Sequence, residues 1–229
     1  MNKKLSIAMG IALAGMSSLA SADTASDMGL EFSANVALTT DYVFRGVSQT
    51  DEEAAIQGGF DVTHTSGIYA GTWASNVDGD FYPGASMEID FYVGWAGDVG
   101  PIGVDVGFNH FEYPNVDDND NNTDEWKISG SYDFEVASVG VAYYYSDDFY
   151  GGGNSDYWDV SGEVPVGSFT IAAHYGWTDV DDFGKYEDWS IGASTELGGF
   201  GFDLTYTDTD IDDDSLADDR VVFTISKSL

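Results

Sequence analysis

The chain has 229 residues, with 41 acidic and 7 basic side chains, a formal charge of −34, three histidines and no cysteine. That balance excludes nucleic-acid binding, because nothing could neutralise a run of phosphates. The missing cysteine excludes thiol catalysis, CxxC sites and a disulfide framework.

In chain order, residues 1–22 read as a secretory signal peptide. Lys3 and Lys4 precede an apolar stretch from Leu5 to Leu19, and Ala20-Ser21-Ala22 supplies a cleavage site before Asp23. No run of about 18 apolar residues follows, so a membrane can be crossed only by strands. Residues 23–229 are then expected to form one unit.

From Phe32 onward the dominant hydrophobic period is two. Phe32, Ala34, Val36 and Leu38 alternate with Ser33, Asn35 and Thr39, and the pattern runs on through Tyr42 and Phe44 to Arg45. Met87-Ile89-Phe91-Val93-Trp95 and Val221-Phe223-Ile225 repeat it. Counting such segments predicts twelve strands: 32–45, 54–64, 67–76, 86–96, 102–111, 125–134, 138–146, 157–164, 168–178, 188–197, 200–207 and 220–228. The third alternates least cleanly. Most approach the 9–11 residues that a tilted strand needs to span a bilayer.

The links alternate between tight turns and longer loops, the latter at 46–53, 77–85, 112–124, 147–156, 179–187 and 208–219. The long loops hold 24 of the 41 acids and one basic residue, Lys185. Short turns at one end and long loops at the other are the asymmetry of bacterial outer-membrane barrels. Aromatics recur at the long-loop end (Tyr42, Phe44, Phe81, Tyr82, Phe111, Tyr113, Tyr143 to Tyr145, Phe149, Tyr150, Trp177, Tyr186, Trp189), as an interfacial girdle would require. The fold class expected is all-β: an antiparallel transmembrane β-barrel of about twelve strands, with short periplasmic turns and longer acidic extracellular loops.

Residues Ser33 to Asp51, reading SANVALTTDYVFRGVSQTD, resemble the opening of the TorF family of proteobacterial porins. Ala55 to Asp61, Gly67 to Asp78 and Glu88-Ile89-Asp90 continue the likeness in order, over about residues 33–95. The resemblance implies an outer-membrane barrel with a pore, and no substrate or functional residue comes with it. One departure is Leu229, where such chains usually end in an aromatic residue that the outer-membrane assembly machinery reads. Leu229 keeps the parity of Val221, Phe223 and Ile225. Lys227 falls on the apolar face near the short-turn end, where it can reach the headgroups.

If the apolar face meets lipid, the other face lines the lumen. The expected pore-lining residues are Asn35, Asp41, Arg45, Gln57, Asp61, Glu88, Asp90, Asp105, Lys127, Asp133, Asp159, Glu163, Asp203 and Arg220. Acids outnumber bases among them by nine to three, and a lumen of that sign concentrates cations. Pairing of Arg45, Lys127 and Arg220 with neighbouring carboxylates could instead help to plug the barrel. Asp208, Asp210, Asp212 and Asp214 invite a calcium reading, but the Gly and Glu of a calcium-hand loop are replaced by Asp213 and Asp219. A solvated acidic loop is expected there, as at Asp117, Asp118 and Asp120. His64, His110 and His174 lack metal-ligand spacing. No nucleophile elbow or P-loop is present. No enzyme, metal or cofactor is therefore expected.

These readings converge on a Gram-negative outer-membrane porin, exported through the periplasm, that passes small hydrophilic solutes and prefers cations. Its partners would be outer-membrane lipid, lipopolysaccharide and the assembly machinery. A plugged structural barrel and a secreted soluble β-sandwich binding module are the competing expectations.

Overall fold

The computed structural model describes residues 27–79, 83–116 and 122–229. The segment read as a signal peptide lies outside them, as do Phe81, Tyr82, Asp117, Asp118 and Asp120. The strands are β1 (Leu30–Thr39), β2 (Val43–Phe44), β3 (Val47–Ser48), β4 (Ala55–His64), β5 (Ile68–Asn76), β6 (Met87–Val99) and β7 (Ile102–Glu112). They continue as β8 (Thr123–Asp133), β9 (Ser138–Ser146), β10 (Ser155–Val166), β11 (Phe169–Val180), β12 (Gly184–Leu197), β13 (Phe200–Thr209) and β14 (Arg220–Ser228). One short 3-10 turn, Ser215–Ala217, precedes β14.

Twelve of these strands form a closed antiparallel barrel, and β2 and β3 form a separate hairpin. Closure is made by β1, which pairs with β4 along one side and with β14 along the other. The ladder continues to the last residue, since the Leu229 amide donates to the Ala34 carbonyl. A sandwich would leave open sheet edges; this ring has none, which rules out the sandwich.

Strand alternation sets two environments. Phe91, Val93 and Trp95 of β6, Trp126 and Ile128 of β8, and Trp158 and Val160 of β10 lie exposed on the outside. Glu88 and Asp90, on the opposite face of β6, are buried. β5 follows the same rule with reversed bulk: Tyr69 and Trp73 point inward and Ala70, Thr72 and Ala74 outward. Its apolar rings are on the inner face, which is why its alternation is hard to read. The tight turns carry left-handed residues, including Gly67, Gly100, Gly167 and the Gly198-Gly199 pair. Lys227 donates to the Gly199 carbonyl at 2.6 Å, beside the last of these turns.

Two boundaries differ from the sequence reading. The first strand ends at Thr39, and residues 40–54 leave the wall. The link expected at 179–187 is a tight turn at 181–183, because β11 and β12 run on past the rim and pair Asp179 with Lys185. The girdle also divides. Tyr143, Tyr145, Trp177 and Trp189 lie on the outer face, with Trp126, Trp158, Tyr175 and Tyr206. Phe111, Tyr144 and Tyr186 point inward.

A cation in the middle of the outer belt has no polar partner in lipid, so Val93→Arg is expected to cost about 2–4 kcal/mol. Urea unfolding of the barrel in lipid vesicles, read by heat-modifiable mobility, measures it.

Candidate functional site

The side chains with chemical potential lie inside the barrel, and residues 40–54 organise them. This segment folds into the interior as the β2–β3 hairpin. Its turn is Arg45-Gly46, with φ of 48° and 81°. Two successive left-handed residues make the tight turn suited to a two-residue hairpin. A Cβ added at Gly46 would lie 2.3 Å from Thr209 Cγ2 and 3.0 Å from Asp188 Cβ. The hairpin tip therefore reaches across the lumen to β12 and β13.

Three sets of polar contacts hold the hairpin. Arg45 Nη2 donates to Glu125 Oε2 of β8 at 2.5 Å. The guanidinium also lies 4.0 Å from the Tyr157 ring centroid and near Phe44, Tyr144 and Phe149. At the hairpin base, Asp41 accepts from Ser48 Oγ (2.7 Å), Thr50 Oγ1 (2.9 Å) and Arg220 Nη1 of β14 (3.0 Å). Tyr42 Oη donates to Glu88 at 2.9 Å, and Tyr113 Oη donates to its other oxygen at 2.8 Å. Above the hairpin, Val77, Ala85, Phe111 and Tyr113 form an apolar cluster joined by Tyr42, Phe44, Val116 and Tyr150. The hairpin and this cluster thus occupy part of the interior at the long-loop end.

Below the hairpin lie the remaining inward polar residues. Asn35, Gln57, Asp61, Asp105, Lys127, Glu163 and Asp203 are half-buried and Asp133 is exposed. Lys127 Nζ donates to Asp105 at 2.8 Å, and Tyr69 Oη donates to the other oxygen of the same carboxylate at 2.8 Å. Tyr92 Oη donates to Asp61 at 2.5 Å. Both rings lie along the wall: a Cβ at Gly94 would meet the Tyr69 ring, and one at Gly71 would meet Tyr92. Glycines on neighbouring strands make room for these side chains to lie flat.

The residues expected to line a lumen therefore fall into two groups. Asp41, Arg45, Glu88, Asp90 and Asp159 are buried around the hairpin, with Arg220 half-buried beside them. Asp41 and Arg45 lie on the hairpin segment and not on a strand face, because the Arg45-Gly46 turn takes the chain out of the wall. The other eight lie on the inner faces of the strands below the hairpin.

Sequence reasoning missed Glu125, His174 and Asp188, which share this interior. His174 Nδ1 lies 3.0 Å from Asp159 and its Nε2 lies 3.5 Å from Asp188. Inward parity on β8, β11 and β12 was the signal that could have found them. Among the described residues no group of three or more His, Cys, Asp or Glu is arranged to hold a metal ion. In the sixth long loop, Asp210 accepts from the Glu187 amide and Asp214 from the Leu216 amide.

Removing Arg45 leaves Glu125 buried without its cation, and loss of one partner from such a pair costs about 3–5 kcal/mol. Arg45→Ala is expected to lose that much stability, and Arg45→Ala combined with Glu125→Gln substantially less. Denaturant titration of the folded barrels measures the difference.

Comparison with known proteins adds the following. No curated protein matches the chain. Among solved structures, the KdgM porin superposes with a TM-score of 0.60 at 9% identity, covering 86% of this chain and 99% of that one. The NanC porin gives 0.58 at 13% identity, covering 84% and 97%. At these identities the likeness is one of fold, a closed antiparallel barrel of the outer-membrane porin type. The TorF resemblance, read over residues 33–95, is not the name that the family comparison returns. The family model described as "Bacterial protein of unknown function (Gcw_chp)" matches residues 22–229, and the chain belongs to that family.

Proposed function

We propose that the chain is a porin of the Gram-negative outer membrane that passes small hydrophilic solutes and prefers cations. The observation that carries this reading is the charge balance of the interior after internal pairing. Each of the three inward bases is matched: Arg45 with Glu125, Lys127 with Asp105, and Arg220 with Asp41. Asp61, Asp133, Glu163 and Asp203 lie on the inner faces of the strands below the hairpin, with no Lys or Arg partner within 4 Å among the described residues. Fixed carboxylates in a water-filled passage raise the local concentration of cations and repel anions. Glu88 and Asp90 are buried beside the hairpin and contribute less to that passage. Contacts with outer-membrane lipid, lipopolysaccharide and the assembly machinery, and export through the periplasm behind a cleaved signal peptide, belong to the same reading.

The buried hairpin favours a second reading, a barrel closed at its mouth that serves a structural or interaction role. Single-channel recording in a planar bilayer under a potassium chloride gradient separates the two. Refolded barrels are expected to give conductance steps with a cation-side reversal potential, shifted towards zero in Asp133→Asn/Glu163→Gln. Replacing residues 42–49 by a short Gly-Ser link is expected to raise the conductance severalfold. Silence from folded barrels with and without the hairpin would leave the structural role standing.

A further inference from the structure

The hairpin tip rests on a cluster that the passage of solutes does not require. In the inward rows of β10, β11 and β12, Asp159 stands beside Gly176, and Gly176 beside Asp188. The next row is Ser161, His174 and Ser190. Because Gly176 has no side chain, the carboxylates on either side can both reach down to His174 in the next row. A Cβ at Gly176 would meet Tyr157 Oη at 2.3 Å and Asp188 Oδ2 at 2.4 Å. Each nitrogen of the His174 ring thus faces a different carboxylate, at 3.0 and 3.5 Å.

A neutral imidazole has one N–H and can satisfy one of these carboxylates; an imidazolium has two and satisfies both. The groups facing the cluster are few. Tyr157 Oη donates to Asp188 at 3.3 Å, Tyr186 neighbours it on β12, and Arg45 lies over the Tyr157 ring. Asp159 Oδ1, Asp188 Oδ2 and Ser161 Oγ are buried without any hydrogen-bond partner. Among the described residues no Lys or Arg lies within 4 Å of either carboxylate to replace the second N–H when the ring loses its proton, and Asp188 keeps only the long bond from Tyr157. Asp188 is fully buried, and the hairpin tip at Gly46 packs against it.

We infer that His174, held between Asp159 and Asp188, is a proton-operated latch for the hairpin. With the ring charged, each carboxylate faces an imidazolium N–H, the cluster carries one net negative charge instead of two, and the floor under Gly46 and Tyr157 is rigid. Deprotonation leaves two buried carboxylates sharing one imidazole N–H, with only the 3.3 Å bond from Tyr157 besides. That arrangement is relieved by admitting water and cations, which displaces Tyr157, Arg45 and the hairpin tip. The mouth is closed at acid pH and opens as pH rises through the imidazole range, between about 5 and 8.

The inference rests on the hairpin and the barrel, and its first readout does not depend on conduction. The chain has no cysteine, so Val47→Cys is a unique reporter at the hairpin tip, and exposed Glu53→Cys serves as its control. The modification rate of folded full-length barrels by a membrane-impermeant thiol reagent is measured from pH 5 to 8. Dividing the tip rate by the control rate at each pH removes the thiol's own titration. The ratio is expected to rise at least fivefold from pH 5 to pH 8. In a His174→Gln background it should be high at both ends, and in His174→Lys, which keeps a cation between the carboxylates, low at both. A ratio that does not change with pH overturns the latch, as does an unchanged rise in His174→Gln. If His174→Gln fails to fold, a rise in His174→Lys equal to that of the parent has the same force. Failure of the porin reading would show instead as silent bilayers with the labelling pattern intact.

Discussion

Every feature of this protein depends on the closure of the sheet between β1 and β14. Ladder pairing satisfies the backbone groups of a strand only if the strand has a neighbour on each side. Among the twelve wall strands, β1 supplies the last missing neighbour. Once closed, the wall sends alternate side chains inward and outward. The outer belt of Phe, Val, Ile and Trp and the inner set of carboxylates, serines and glycines are two readings of the same strands. A chain with so many acids can adopt this fold because its carboxylates lie inside the ring or at its rims, away from the belt.

The period of two makes the wall legible in the sequence alone. Segments such as Met87 to Trp95 carry apolar and acidic residues on opposite parities, and no helix would separate them. β5 was harder because Tyr69 and Trp73 occupy the inner face, Tyr69 over Gly94 and Gly107 of neighbouring strands, a placement that is not written in β5 itself. The inward hairpin escaped for a different reason. Asp41 and Arg45 continue the polar parity of β1, so alternation cannot say where the wall stops. The left-handed pair at Arg45-Gly46 ends it, and Gly46 was the local clue. The partners of the hairpin, Glu125, Tyr157, Asp188 and Arg220, are scattered over the second half of the chain, and only the topology brings them together.

Charge is arranged in two layers. Around the hairpin it is spent on cohesion: Arg45 with Glu125, Asp41 with Arg220, and Glu88 with two tyrosines. Below it, beyond the single Lys127–Asp105 pair, the inward carboxylates Asp61, Asp133, Glu163 and Asp203 have no Lys or Arg within 4 Å among the described residues. The same residue type thus has opposite consequences at different depths, because a buried carboxylate needs a partner while a wetted one can act at a distance.

The contact between Asp41 and Arg220 joins positions 179 residues apart, and this separation has a kinetic meaning. Arg45 needs β8 and β10, Gly46 packs against β12 and β13, and Asp41 needs β14, the last strand to emerge. The hairpin, although made early, has no complete seat until the ring is finished. Non-local contacts of this kind form late. Docking of residues 40–54 therefore reports on completion of the ring: a barrel with its final strand unpaired lacks the Arg220 contact and holds its hairpin less firmly.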